Sequence, residues 1–305
     1  MLGPVGKLAK IALAGAGYDL HRATEFEKRL MRSYWGDWFS KDPALFARVY
    51  ARNRQSLGRV QRWADNIDNS LWRYGVPEMW STGQQGLDRT TLDQIEPEVT
   101  YTDLIGFVAS QIEALTYLEI GVSVGKNFWQ IVELFPDAEI FGLDVEEPNP
   151  SLTRLFERVE TVWEGPEQVV DTLSGNKATI RLTHYHLHRK DGKPVTYVKG
   201  DQFSHETWAS MKARFNFVFS DGVHSGRAVI DEFDHLKRSG LLEISGQFAM
   251  YWDDLVNVEM QSAFERNARL LGEGRYSLHP IHGTYGERRM NGLFANFSPT
   301  SADIP

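Results

Sequence analysis

From Tyr101 onward the chain falls into short apolar runs, each closed by a polar or glycine cluster and each followed by apolar residues at helical spacing. Runs of four to six such residues fit buried strands, and they predict strands at Thr116–Ile120, Glu139–Leu143, Val195–Val198, Phe215–Ser220 and Gln247–Trp252. Alternation of strand and helix signals is the pattern of a mainly parallel sheet with crossover helices, so the expected class is α/β, doubly wound and Rossmann-like. Two further runs, Tyr276–Ile281 and Gly292–Phe297, flank a turn-rich stretch and are expected to pair antiparallel. Between Ile180–His188 and Pro194–Val198 lies Lys190-Asp191-Gly192-Lys193, and Asp-Gly between two strand-like runs predicts a hairpin. That hairpin would put His184, His186 and His188 on one face. With no acidic partner nearby in sequence, they read as a polar hairpin face and not as a metal site.

The first third of the chain behaves differently. From about Tyr18 to Tyr74 it is rich in Arg and aromatic residues, with Val60, Trp63, Ile67 and Leu71 on one helical face. Asp42-Pro43 is a credible helix start, an N-cap followed by proline at the first helical position. Gly75-Val76-Pro77 and Ser81–Gly86 read as linker. The expected division is therefore an N-terminal helical segment with linker over residues 1–95 and a ligand-binding domain over 96–305. Trp35, Trp38, Trp63, Trp72 and Trp80 are expected to serve as core or interface residues. A helical extension beside an open sheet points to a border on the substrate pocket and to a homodimer. Ala14–Gly17 lacks a preceding strand and reads as a helix start or loop. The stretch Lys7–Gly17 is too short, and too interrupted by Lys10, for a signal peptide.

Composition narrows the function. A net charge of −8 argues against a phosphate-tracking surface for DNA or RNA and favours a small-molecule substrate. The absence of cysteine excludes thiolate catalysis and zinc-thiolate sites and is compatible with the cytoplasm, the expected location. No run approaches the ~20 apolar residues that a membrane crossing needs, so no membrane role is expected.

The chemistry concentrates at predicted strand ends. Thr116–Ile120 runs into Gly121-Val122-Ser123-Val124-Gly125, after which Phe128, Ile131, Val132 and Phe135 repeat at helical spacing. Glycines at such a turn let backbone approach a ligand closely, and the following helix offers free N–H groups. The next strand ends at Asp144, twenty-three residues past Gly121, where a carboxylate can accept both ribose hydroxyls of a nucleoside. Glu119, directly before the turn, suits an ammonium-bearing cofactor and would repel a pyrophosphate. The third strand ends in Asp201-Gln202-Phe203, a polar pair and an aromatic suited to adenine. The fourth ends in Asp221-Gly222-Val223-His224, and the fifth in Asp253-Asp254.

In these residues the chain resembles the class I S-adenosylmethionine-dependent methyltransferases, and within them the small-molecule O-methyltransferase branch whose fourth strand ends in Asp-Gly-x-His. The resemblance covers about two thirds of the chain, from Tyr101 to the C-terminus, and rests on Glu119–Gly125, Asp144, Gly200-Asp201, Asp221–His224 and Asp253-Asp254. It implies a seven-stranded sheet with the last strand antiparallel, in accord with the C-terminal pair read independently. It also implies S-adenosylmethionine as cofactor, held by Glu119, Gly121, Ser123, Gly125, Asp144, Asp201 and Gln202. Ser123 stands where the family's turn carries glycine.

Asp221, Asp253 and Asp254 end neighbouring predicted strands, so their carboxylates should meet at one edge of the sheet. Hard oxygen ligands there are expected to bind Mg²⁺, with Asp221 and His224 as the catalytic pair and His224 taking the acceptor's proton. Two other functions compete. An NAD-dependent oxidoreductase would use a glycine turn and a strand-end acid but lacks its third glycine here. A catalytically silent protein of the same fold is opposed by the clustered acids, which repel one another unless something compensates them. Gly121–Asn127 also resembles a phosphate loop, but it is one residue short and ends in Asn127.

Overall fold

The computed structural model describes residues 42–64, 99–171, 177–282 and 288–298. Alternating apolar residues on each central strand leave two faces to bury, and the chain covers both with helices. Helix α1 (Pro43–Ala64) is followed by α2 (Tyr101–Ala109), β1 (Thr116–Ile120), α3 (Lys126–Leu134), β2 (Glu139–Asp144) and the short α4 (Pro150–Thr153). The long strands β3 (Arg158–Asp171) and β4 (Lys177–His188) come next, then β5 (Val195–Lys199), α5 (His205–Ser210), β6 (Phe217–Ser220) and α6 (Gly226–Arg238). The chain closes with β7 (Ala249–Trp252), α7 (Val258–Leu270), β8 (Arg275–His282) and β9 (Arg288–Ala295).

These strands form one nine-stranded sheet in the order β3-β4-β5-β2-β1-β6-β7-β9-β8. Strands β5, β2, β1, β6 and β7 are mutually parallel, and β9 enters antiparallel between β7 and β8. The α/β class, the five parallel strands and the C-terminal antiparallel pair thus stand as expected. The expected seven strands become nine because the β3–β4 ribbon extends the sheet beyond β5. The Asp-Gly hairpin joins β4 to β5 as anticipated, with Gly192 at φ +96°, where a Cβ would lie 2.5 Å from the Pro136 carbonyl oxygen. Strand β3 has no clear signal in the sequence. It is acidic and interrupted by Gly165-Pro166, and its pairing with β4 shifts register between Glu164 and Glu167 to pass them. An edge position tolerates such residues because one side of the strand needs no partner.

Strand alternation divides the core. Tyr117, Phe217, Phe219, Ala249 and Tyr251 face the side covered by α1, α2 and α3, whereas Leu118, Ile120, Val218, Met250 and Trp252 face α5, α6 and α7. Helix α1 begins as the sequence anticipates, with the Leu45 N–H donating to Asp42 Oδ1 at 2.8 Å. Its inward residue Val49 is buried against α2 and α3, with Leu45 and Phe46 beside it. Arg54 Nη2 meets the fully buried Asp103 of α2 at 2.8 Å. The described part of the N-terminal segment therefore covers a face of the sheet. The expected linker, the helical face of Ile67 and Leu71, and Trp35, Trp38, Trp72 and Trp80 lie outside the described residues. Among the described residues no helix is long and apolar enough to cross a membrane.

Candidate functional site

The carboxyl ends of β1, β2, β5, β6 and β7 share one edge of the sheet, and the strand-end residues singled out in the sequence collect there. At the end of β1, Gly121 adopts φ +82° and donates its N–H to the Leu143 carbonyl at 2.8 Å. A Cβ on Gly121 would lie 2.1 Å from the Asp221 carbonyl oxygen, so β1 and β6 are pressed together at this point. Gly125, at φ +78°, caps α3, and a Cβ there would strike Leu152. Ser123 adopts φ +52°, a left-handed conformation that glycine reaches without penalty and that costs another residue about 1 kcal/mol. Its N–H donates to Asp144 Oδ2 at 2.8 Å, and the Glu146 N–H donates to Asp144 Oδ1 at 3.1 Å. The turn and the strand-end acid are thus one unit. Burial pushes the Asp144 pKa up, and the surrounding backbone N–H groups oppose that shift.

At the end of β5, Asp201 accepts the Phe203 N–H at 2.9 Å and donates its own N–H to Gln168 Oε1 at 2.9 Å. Gln168 comes from β3. Its Nε2 also donates to Ser204 Oγ and Thr207 Oγ1 at 2.9 and 3.0 Å, so the ribbon clasps the loop that carries Asp201 and Gln202. The Gln202 side chain lies against Gly222 at the end of β6, and its Nε2 is buried without an acceptor. A buried amide donor left unsatisfied costs about 1–3 kcal/mol, and a ligand acceptor would remove that cost.

Glu119 lies beneath the turn and not at its mouth. It is 1% exposed and accepts hydrogen bonds from Tyr117 Oη at 2.8 Å and Asn127 Nδ2 at 2.7 Å. Burial pushes its pKa well up, against the lowering effect of those donors. The carboxylate expected to meet an ammonium group thus ties β1 to the first turn of α3, because side chains at that register point into the sheet face.

Asp221, Asp253 and Asp254 do come together, as their strand positions require. They gather around Arg289, from the start of β9, which the sequence pattern had not singled out. Arg289 Nη1 contacts Asp253 Oδ2 and lies 3.0 Å from Asp254 Oδ2 and 3.8 Å from Asp221 Oδ1. The expected Mg²⁺ ion bridging these acids finds no support in this arrangement, in which a guanidinium lies among them. Among the described residues no group of three or more His, Asp or Glu side chains is placed to hold a metal ion. A usable clue existed in the sequence. The last strand is antiparallel, so its start lies where the parallel strands end, and an arginine there must sit at the same edge.

His224 Nε2 lies 3.1 Å from Asp221 Oδ1, and its Nδ1 lies 3.6 Å from Asp254 Oδ2. Burial pulls the His224 pKa down, but the Asp221 hydrogen bond and the charges of Asp221, Asp254 and Asp253 leave it above the ordinary value. The Asp221 carboxyl is pushed up by burial and by Asp253. Asp254 takes φ +52°, held by its N–H to Asn291 Oδ1 at 3.3 Å. The cap of α6 is Ser225, which accepts the Ala228 N–H at 3.1 Å, so Asp221 is not needed as a helix cap.

Behind this cluster, the buried Glu232 of α6 accepts the Ser220 hydroxyl at 3.0 Å, while its Oε1 has no partner. Burial raises its pKa to about 8 from 4.5. The folded chain thus keeps a proton that the unfolded chain releases, and Glu232 makes stability fall as pH climbs from about 4.5 to about 8. Glu232→Gln is expected to be the more stable protein above pH 5, by on the order of 3 kcal/mol near pH 8, with the advantage vanishing near pH 4. Melting curves across that range check it, and a pH-independent difference would contradict it.

Two of the three hairpin histidines make contacts that belong to the fold. His184 packs edge-on against Trp163 at 5.0 Å and meets Ser210 Oγ at 2.8 Å, with burial lowering its pKa to about 4. His188 meets Glu160 at 3.1 Å.

No family model and no curated protein matches the chain. Among solved structures it is similar to the magnesium protoporphyrin IX methyltransferase of Synechocystis PCC 6803 with bound SAM, at 11% identity over 73% of this chain and 96% of that one, with a TM-score of 0.39. It is similar to the SAH-bound Podospora anserina methyltransferase PaMTH1 at 14% identity over 65% and 78%, with a TM-score of 0.39. It is also similar to the precorrin-6y C5,15-methyltransferase of Geobacter metallireducens GS-15 at 13% identity over 65% and 87%, with a TM-score of 0.38. These likenesses are weak, and the strand order and register stand without them.

Proposed function

We propose that this chain is an S-adenosylmethionine-dependent methyltransferase acting on a hydroxyl of a small molecule. The observation that carries the reading is the join of the Gly121–Gly125 turn to Asp144, two strands away from a histidine held between two carboxylates. The sheet supports the same choice over an NAD enzyme, since a dinucleotide fold of strand order 3-2-1-4-5-6 has no reversed strand between its fifth and sixth. Here β9 fills that place.

The residues suit a nucleoside cofactor. Asp144 would accept the ribose hydroxyls, the orphaned Gln202 Nε2 would donate to an adenine nitrogen, and Asp201 would flank the ring. When bound, the cofactor supplies an electrophilic methyl group on a sulfonium. The chain does the rest by position and proton handling. Gly121, without a side chain, leaves the ends of β1 and β6 in contact, which would bring a cofactor on the turn close to the groups at the end of β6. His224 and Asp221 are each about a quarter exposed and can face the acceptor hydroxyl. His224 takes the acceptor's proton, and Asp221 and Asp254 stabilise the resulting imidazolium. A cluster of three acids, with a chain charge of −8, suits a neutral or cationic small acceptor better than a nucleic acid.

Calorimetry with S-adenosylhomocysteine and NADH tests the reading. Binding of S-adenosylhomocysteine alone is expected, and heat from NADH alone would favour the oxidoreductase. Asp144→Ala should weaken S-adenosylhomocysteine about ten- to a hundred-fold, the worth of carboxylate hydrogen bonds at roughly 1.5–3 kcal/mol. His224→Asn should leave that binding intact and remove the rise of methylation rate with pH.

A further inference from the structure

We infer that Arg289 is the fixed cation of this site, standing where a divalent ion would otherwise join Asp221, Asp253 and Asp254. The inference of a role toward the acceptor oxygen rests on the methyltransferase reading, whereas the inference about the cation does not.

An arginine that pairs with carboxylates usually spreads its five N–H groups in a planar fork, two nitrogens to one carboxylate. At Arg289 one nitrogen also serves several acids. Oxygens from three different carboxylates, ending two neighbouring strands, converge on its single atom Nη1. The acids as they stand are not placed to hold an ion by themselves, but with the guanidinium gone their oxygens are the hard ligands that a divalent cation takes. A second observation points the same way. The Asp253 side chain is fully buried, yet its Oδ1 has no hydrogen-bond partner. The guanidinium satisfies one oxygen of Asp253 and leaves the other bare, where a spherical ion could take both.

Among the described residues, the charges nearest this point include the three carboxylates, Arg289 and His224, the last within 3.1 Å of Asp221 and 3.6 Å of Asp254, and Glu119 also acts on Asp221. Without Arg289, three acids would share a largely buried pocket with one histidine. They would repel one another, take up protons or recruit a cation. With Arg289 present, a divalent ion would have to enter against a fixed positive charge. The wild-type chain therefore excludes divalent metal here, and an acceptor oxygen losing its proton would find a guanidinium beside it.

Mn²⁺ binding to the full chain, followed by electron paramagnetic resonance, tests this. The wild type is expected to bind no Mn²⁺ at this place, and Arg289→Ala to gain one site, at least ten-fold tighter than anything in the wild type. Asp253→Asn added to Arg289→Ala should abolish that site, and Arg289→Lys, which keeps the charge, should not create it. If Arg289→Ala melts early, Mn²⁺ should restore its melting temperature, and failure to do so would overturn the inference. A Mn²⁺ site in the wild type that disappears in Asp253→Asn would also overturn it, as would a folded Arg289→Ala that binds no ion. Loss of the methyltransferase reading would show separately, as absent S-adenosylhomocysteine binding with the Mn²⁺ results unchanged.

Discussion

Alanine at position 121 is expected to abolish nucleoside binding and to lower the melting temperature by about 6–12 °C. Two effects add. A side chain at φ +82° costs about 1–2 kcal/mol, and the new Cβ would stand 2.1 Å from the Asp221 carbonyl oxygen, where something must move. The atom in its way is backbone, so no side-chain rotation relieves the contact. Either β1 withdraws from β6 or the turn rebuilds. In both cases Ser123 loses its alignment with Asp144, the pair through which this edge would hold ribose. A total near 3 kcal/mol shifts the melting temperature of a domain this size by the stated amount. Thermal melts and S-adenosylhomocysteine titration of Gly121→Ala check both parts. An alanine variant that melts and binds like the wild type would mean that the close approach of β1 and β6 has no consequence.

The second large effect is expected far from the site. Arg54→Met should destabilise the chain by about 3 kcal/mol, since it leaves Asp103 buried with its charge uncompensated. Asp103 is 0% exposed, and besides Arg54 it accepts Asn53 Nδ2 and the Thr100 N–H, both at 2.9 Å. Burial already raises its pKa, and Arg54 opposes the rise. Without Arg54 the folded chain would hold a proton on Asp103 to higher pH than the unfolded chain does. Stability would then fall as pH rises from about 4 through that higher value, so the variant should be least impaired near pH 4. Adding Asp103→Asn should recover part of the loss at pH 8. Denaturant unfolding at pH 4.5 and pH 8 measures this, and an equal loss at both would assign the effect to packing instead of charge. The same pair bears on the N-terminal segment. A chain shortened to begin near Thr91 would lose α1 and uncover Phe107 as well as Asp103.

Much of this protein follows from local pattern. Apolar runs of strand length separated by helical periods require a parallel sheet with both faces covered, because backbone periodicity alone decides which side chains share a face. The Asp-Gly hairpin, the Asp42 cap and the C-terminal antiparallel pair are equally local and equally legible. So is the position of the candidate site, since parallel strands carry every strand-end residue to one edge. Asp144, Asp201, Asp221, Asp253 and Asp254 could be placed there before any coordinates.

What tertiary structure alone decided is which partners these residues meet. Glu119 and Gly121 are two residues apart, yet one is buried under α3 and the other lies at the mouth of the turn, a difference set by how closely the helix packs. Strand β3 exists because β4 offers an edge, and it brings Gln168 to the Asp201 loop from thirty-three residues away. Arg289 reaches the three acids only because β9 runs opposite to its neighbours and in a particular register. A charge can choose its partner only after the strands have been ordered, and long-range strand pairing leaves almost no trace in the residues on either side.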